Sequence, residues 1–143
     1  MDFVKLVIPG EPKGKGRPRY SGKSGCMYTP SDTKGYESLV KLIYQQKYGN
    51  FMFQKGVPLD MRIKAYIQIP DSDSNLTKAR KRCGEIRPTK KPDWDNIGKI
   101  VADALNKVAY YDDAQIVDSQ IRKFFSDNPR VEIIILIAGG QQK

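Results

Sequence analysis

Leu59-Asp60-Met61-Arg62-Ile63-Lys64-Ala65-Tyr66-Ile67-Gln68-Ile69 alternates apolar and polar side chains with a strict period of two. Successive strand side chains point to opposite faces, so this stretch predicts a half-buried β-strand. Upstream, Phe3 to Ile8 reads as a short strand stopped by Pro9-Gly10-Glu11-Pro12. Downstream, Ile133-Ile134-Ile135-Leu136-Ile137 is apolar on both faces and predicts an interior strand. The runs Ile116–Phe125 and Val131–Ala138 flank Ser126-Asp127-Asn128-Pro129 and read as a hairpin.

Helical patterns lie between the strands. Thr29-Pro30-Ser31 opens one, with Ser31 or Thr33 as cap, Tyr36, Leu39, Val40 and Ile43 on one face, and an end near Tyr48-Gly49-Asn50. Ser74 caps a short basic helix. From Asp95 to Val108, Ile97, Ile100, Val101, Ala104, Leu105 and Val108 share one arc, and Asp95, Asn96, Lys99, Asp103 and Asn106 the opposite, outward one. The order strand, helix, strand, short helix, helix, strand, strand predicts a single α/β (α+β) domain over residues 1–143, a mixed sheet flanked by helices.

The charge balance narrows function. Lys+Arg 25 against Asp+Glu 16 leaves +9, which points to a polyanionic partner, nucleic acid first. No basic amphipathic helix with flanking Trp or Phe argues for a membrane surface. With no histidine in the chain, Ser-His-Asp and Cys-His nucleophiles and nearly all catalytic zinc sites are excluded, so a metal must sit on oxygen. Cys26 and Cys83 lack the spacing of a zinc or disulfide framework and fit a reduced, cytoplasmic protein. Cations gather in a Gly/Pro-punctuated loop carrying Lys13, Lys15, Arg17 and Arg19, and between residues 78 and 91, where Lys78, Arg80, Lys81, Arg82, Arg87, Lys90 and Lys91 face only Glu85.

Six of the 16 acids nevertheless fall between Asp93 and Asp118. Asp93 and Asp95 straddle the start of the long helix, and Asp112-Asp113 opens the next strand. If those elements pack together, the carboxylates converge, and a hard cation such as Mg²⁺ relieves their repulsion and polarises a phosphodiester. The alternative is structural: Asp93 as a helix cap, Asp95 and Lys99 as a surface ion pair, Asp112-Asp113 as a turn. Asp103 and Asp118 read as surface acids, and Trp94 as a packing or stacking side chain.

The run Pro88-Thr89-Lys90-Lys91-Pro92-Asp93-Trp94-Asp95-Asn96-Ile97-Gly98-Lys99, then Asp103-Ala104-Leu105-Asn106, then Tyr111-Asp112-Asp113-Ala114-Gln115-Ile116-Val117, resembles the signature of the RusA family of Holliday junction resolvases. Gly10-Glu11-Pro12, Arg17-Pro18-Arg19 and Tyr28-Thr29-Pro30 resemble its phage and prophage branch. The resemblance implies a homodimeric endonuclease, dependent on Mg²⁺ and no organic cofactor, that cuts four-way DNA junctions by paired nicks. It assigns catalysis and metal binding to Asp93, Asp95 and Asp113 with Asp112 beside them, and an essential cation to Lys99. Trp94 and Gly98 occupy variable positions of that signature. Lys13, Lys15, Arg17, Arg19, Lys78, Arg80, Lys81, Arg82, Lys90 and Lys91 are the expected phosphate contacts. Two other readings stay open: a non-catalytic branched-DNA binder, and a metal nuclease acting on flaps, forks or RNA.

Overall fold

The computed structural model describes residues 2–16, 19–20, 27–28 and 31–139. Its elements are β1 (Phe3–Pro9), β2 (Arg19–Tyr20), β3 (Met27–Tyr28), α1 (Ser31–Tyr48), β4 (Leu59–Gln68), α2 (Asn75–Arg82), α3 (Trp94–Leu105), a 3₁₀ turn (Asp113–Gln115), β5 (Ile116–Ser126) and β6 (Arg130–Ile137). Strands β2 and β3 pair antiparallel as a separate ribbon. The main sheet has the order β1-β6-β4-β5. Arg17, Cys26 and the Thr29-Pro30 helix opening lie outside the described residues, as does the side chain of Arg19.

Alternation in β4 has the predicted consequence. Leu59, Met61, Ile63 and Ala65 are buried with Val4, Leu6 and Ile8 of β1 and Val131, Ile133 and Ile135 of β6. Tyr36, Val40 and Tyr44 of α1 and Ile97, Ile100, Val101, Ala104 and Leu105 of α3 complete this core, so both helices cover one face of the sheet. The apolar run of β6 does lie inside the sheet, between β1 and β4.

The expected β5–β6 hairpin does not form. Strand β4 lies between the two, parallel to β5 and antiparallel to β6. The short link after Ser126 therefore passes the end of β4 rather than turning between neighbours. Burial explains the insertion: β6 and β4 bring the apolar rows that need sheet on both sides, whereas Asp118, Gln120 and Arg122 suit β5 to an edge. The parallel β4–β5 pair in turn needs a long crossover, which α2 and α3 supply.

Side chains bind backbone groups at one point on each free edge. Lys5 N–H donates to Tyr48 Oη at 2.8 Å, and Lys47 Nζ donates to the Lys5 carbonyl at 2.8 Å. On β5, Arg87 Nε donates to the Lys123 carbonyl at 2.6 Å. Occupied edge groups discourage pairing with another chain's strand. Ser74 caps α2 as predicted, accepting from Thr77 N–H at 3.2 Å. Helix α3 ends at Leu105, earlier than its apolar pattern, because Asn106 is extended (ψ 128°) and Lys107 takes φ +62°. That left-handed residue, uncommon outside glycine, turns the chain toward the carboxylates.

Candidate active site

The start of α3 sets out the first two acids. Asp93 is its N-cap, with extended φ −69° and ψ 150°, but its carboxylate makes no capping hydrogen bond. An ordinary Asp cap spends that oxygen on the first turn's N–H groups; here it remains available. Asp95 and Lys99 stand one turn apart, and among the described residues no ion pair joins them. The surface-pair reading of these two residues is therefore not realised.

Asp113 reaches the same place through a braced turn. Its N–H donates to Asn106 Oδ1 at 3.1 Å. Asp112 caps the 3₁₀ turn by accepting from Ala114 N–H at 3.1 Å. Gln115 Oε1 accepts from Tyr111 and Asp112 N–H at 3.0 and 3.1 Å, while its Nε2 donates to the Gln54 and Val57 carbonyls, each at 3.0 Å. Beneath, the buried Tyr110 hydroxyl donates to the Ala102 carbonyl of α3 at 2.7 Å. The tyrosine pair is thus divided, Tyr110 locking turn to helix and Tyr111 facing solvent.

Asp95, Lys99 and Asp113 line one open pocket of about 330 Å³ with Trp94, Gly98 and Ser119, over apolar Met61, Ile116 and Ile121. Trp94 is 64% exposed and forms a rim rather than core. A Cβ on Gly98 would lie 2.5 Å from Ile121 Cδ1. Helix α3 therefore comes down on β5 at this glycine, and the approach places Asp95 and Lys99 above the strand. Any side chain at position 98 would have to displace the Ile121 δ-methyl.

Electrostatics divides the adjacent pair. Burial pushes the Asp113 carboxyl above the usual carboxylate range, and its hydrogen bond with Asp112 and the charges of Asp112 and Asp103 push the same way. Asp112 moves down, chiefly through the Ala114 N–H and then through the shared hydrogen bond with Asp113. Because the folded-state value of Asp113 is raised, its contribution to stability is full below the unfolded pKa of about 3.9 and is lost as pH rises through the folded value. An ionised Asp113 is thus a cost at neutral pH. Asp112→Asn is expected to lower the Asp113 pKa, followed by carbon-13 NMR titration; an unmoved value would leave burial and the Asp103 charge as the causes.

Among the described residues, no group of three or more Asp, Glu or Cys side chains is arranged to hold a metal ion. The pocket brings Asp95 and Asp113 together, while Asp93 and Asp112 stand at neighbouring chain positions outside its lining.

Two elements, the first turns of α3 and the 3₁₀ turn before β5, thus supply an acid and a lysine, and a second acid, to one surface. Residues 9–136 match the protein family described as Endodeoxyribonuclease RusA. The chain belongs to the RusA endodeoxyribonuclease family. It is 40% identical over 139 residues to the uncharacterized protein YqaN of Bacillus subtilis (strain 168), covering 94% of this chain and 96% of that one. It is 30% identical over 135 residues to the crossover junction endodeoxyribonuclease rusA of Lactococcus phage r1t, covering 94% of each.

Seen as a RusA-family chain, several motif positions acquire physical roles that residue-type reasoning missed. Asn106 and Gln115 bind the backbone N–H groups of Asp113 and Asp112, and so hold the turn that carries the Asp113 carboxylate. The pattern Asp112-x-x-Gln115 is a capping box and was the available signal.

The cations are less uniform than expected. Lys15 is no phosphate arm: its Nζ lies 2.6 Å from Glu37 and 3.1 Å from Asp103, its side chain is 19% exposed, and its N–H donates to the Asn96 carbonyl. Asp103 is correspondingly half-buried and ion-paired rather than a surface acid, and this link ties the basic loop to α1 and α3. Arg80 pairs with Glu85, Lys81 with Asp73 and Arg82 with Asp127. The Arg80 and Arg82 pairs are exposed, worth little, and exchangeable for phosphate. Among the described residues no carboxylate pairs with Lys13, Lys78, Lys90 or Lys91. No described helix is long and apolar enough to cross a membrane.

Proposed function

We propose that this chain is a Mg²⁺-dependent endodeoxyribonuclease that resolves four-way DNA junctions by paired symmetric nicks. The observation that carries the reading is the meeting of Asp95, Lys99 and Asp113 in one open pocket of a strongly basic RusA-family protein. The donor set fits a hard cation, because every candidate ligand is a carboxylate and Asp113 already carries the cost of burial and of neighbouring negative charge. Asp93, Asp95 and Asp113, with Asp112 beside them, would hold it. When bound, Mg²⁺ acidifies water and polarises the phosphodiester.

The chain's own residues do the rest. Lys99 sets a cation one turn from Asp95, where it meets the charge that develops on phosphate oxygen. The apolar floor of Met61, Ile116 and Ile121 backs the polar groups on the side away from solvent. Lys13, Lys78, Lys90 and Lys91, with Arg80 and Arg82 after ion-pair exchange, hold the DNA backbone, and the N-terminal Arg17 and Arg19 join them.

An end-labelled four-way junction and matched linear, forked and flapped DNAs, each with Mg²⁺ and with EDTA, test this. Symmetric nicks confined to the junction and requiring Mg²⁺ are expected. Binding without cleavage would return the acids to caps and turns, and equal cutting of forks or flaps would change the substrate class.

Paired cuts need two sites, and the uncovered sheet face suits a second copy of this chain. The register aligns Phe3, Leu136, Asp60 and Asp118 in one row, and Pro9, Arg130, Tyr66 and Phe124 in another. Phe3 and Val7 are exposed. Asp118 and the Asp60–Arg62 pair stand at one end, and Lys64 and Arg122 with the Arg130–Glu132 pair toward the other, so a two-fold axis across the strands sets Asp118 against the cations unpaired among the described residues. Light scattering is expected to give a dimer that Phe3→Asp converts to monomer. A variant that stays dimeric would move the interface elsewhere.

A further inference from the structure

A second concave surface lies farther along β5, on the helix-covered side of the sheet. It is a groove of about 400 Å³ between the ends of β4 and β5, α2 and the loop 86–91. Ile67, Phe125 and Pro88 form an apolar floor; Arg87, Lys90 and Lys91 form a cationic rim. The rim is braced, since Arg87 Nε donates to the Lys123 carbonyl and Lys123 Nζ donates to the Lys90 carbonyl at 2.6 Å. Lys81 roofs one side with its Nζ 4.4 Å from the Phe125 ring centroid, and Asp73 neutralises its charge at 2.5 Å. The charge left over for a ligand is therefore on Lys90 and Lys91, outside the apolar part.

We propose that this groove takes an unstacked nucleobase of the bound DNA strand, its flanking phosphates on Lys90 and Lys91. An apolar, aromatic-floored slot whose cations without a carboxylate partner stand only at its lip matches a nucleotide, whose base is flat and weakly polar and whose charge is all on the backbone. The volume lies within the usual range for small-ligand sites. Placement agrees: Ile121 lines the catalytic pocket and Phe125 the groove, about 13 Å apart at strand rise, a few nucleotides of one strand. Lys91 is two residues from Asp93, so the same loop reaches both places. A base held here would make cutting depend on sequence at one position near the nick. The inference rests on the nuclease reading for its strand, but not for its measurement.

The test uses four-way junctions carrying 2-aminopurine at successive positions of one strand, mixed with the full chain in EDTA so that no cleavage intervenes. One position within a few nucleotides of the mapped nick should brighten several-fold on binding. Phe125→Leu and Ile67→Trp, the second filling the groove without removing a cation, should each lose most of that signal. In Mg²⁺ they should also weaken discrimination among bases at that position by about fivefold or more, the scale of one base–aromatic stack. Brightening that survives in both variants, or a parent that binds and cuts while no position brightens, overturns the groove and leaves the nuclease reading standing. A parent that binds no branched DNA overturns both.

Discussion

Asp95→Asn is expected to lower junction cleavage by about a thousandfold or more, while junction binding in EDTA stays within about threefold of the parent. Asparagine keeps the shape and one oxygen but loses the charge that a cation needs. Asp95 is exposed in the first turn of α3, so the change should leave folding within about 0.5 kcal/mol. Asp113→Asn should match it in cleavage, and its fold should not suffer, because the ionised Asp113 is a cost at neutral pH. A second readout is independent of activity: Mg²⁺ raises the parent's melting temperature by binding the folded state, and neither variant should respond. If Asp95→Asn cuts at the parent's rate under saturating Mg²⁺, the carboxylates are not the catalytic set.

Ile100→Ala is expected to destabilise the fold by about 2–5 kcal/mol, the range for removing a buried aliphatic side chain. Ile100 is fully buried at the centre of α3, among side chains of α1 and the sheet. At this chain length the change should lower the melting temperature by about 10 °C. Leu76→Ala is the control, since Leu76 is 71% exposed on α2, which buries no residue. Calorimetry giving equal losses for the two would mean that α3 does not rest on the core as described. The two predictions meet in one element: the helix whose apolar arc holds the domain together carries Asp95 and Lys99 on its other side.

Much of this was legible from residues 59–137 alone. Period-two alternation marked β4, the 100° arc marked α3 and the double-faced apolar run marked β6 as interior, because each is a local demand for burial on one side or both. Cation and acid clusters, with the absence of histidine, confined the chemistry to oxygen ligands and a polyanion. Chain neighbours, however, need not be sheet neighbours. The β5–β6 hairpin failed because β4, nearly sixty residues earlier, fitted between them, and no local pattern encodes that competition. Lys15 looked like a phosphate arm because its partners, Glu37 and Asp103, lie far along the chain. Gly98 looked indifferent because Ile121 comes near only after α3 packs on β5. The sequence by itself determined which residues are equipped to hold a cation and which to meet a phosphate. Tertiary structure alone decided which of them share a pocket, because convergence depends on long-range packing whose free energy no short segment contains.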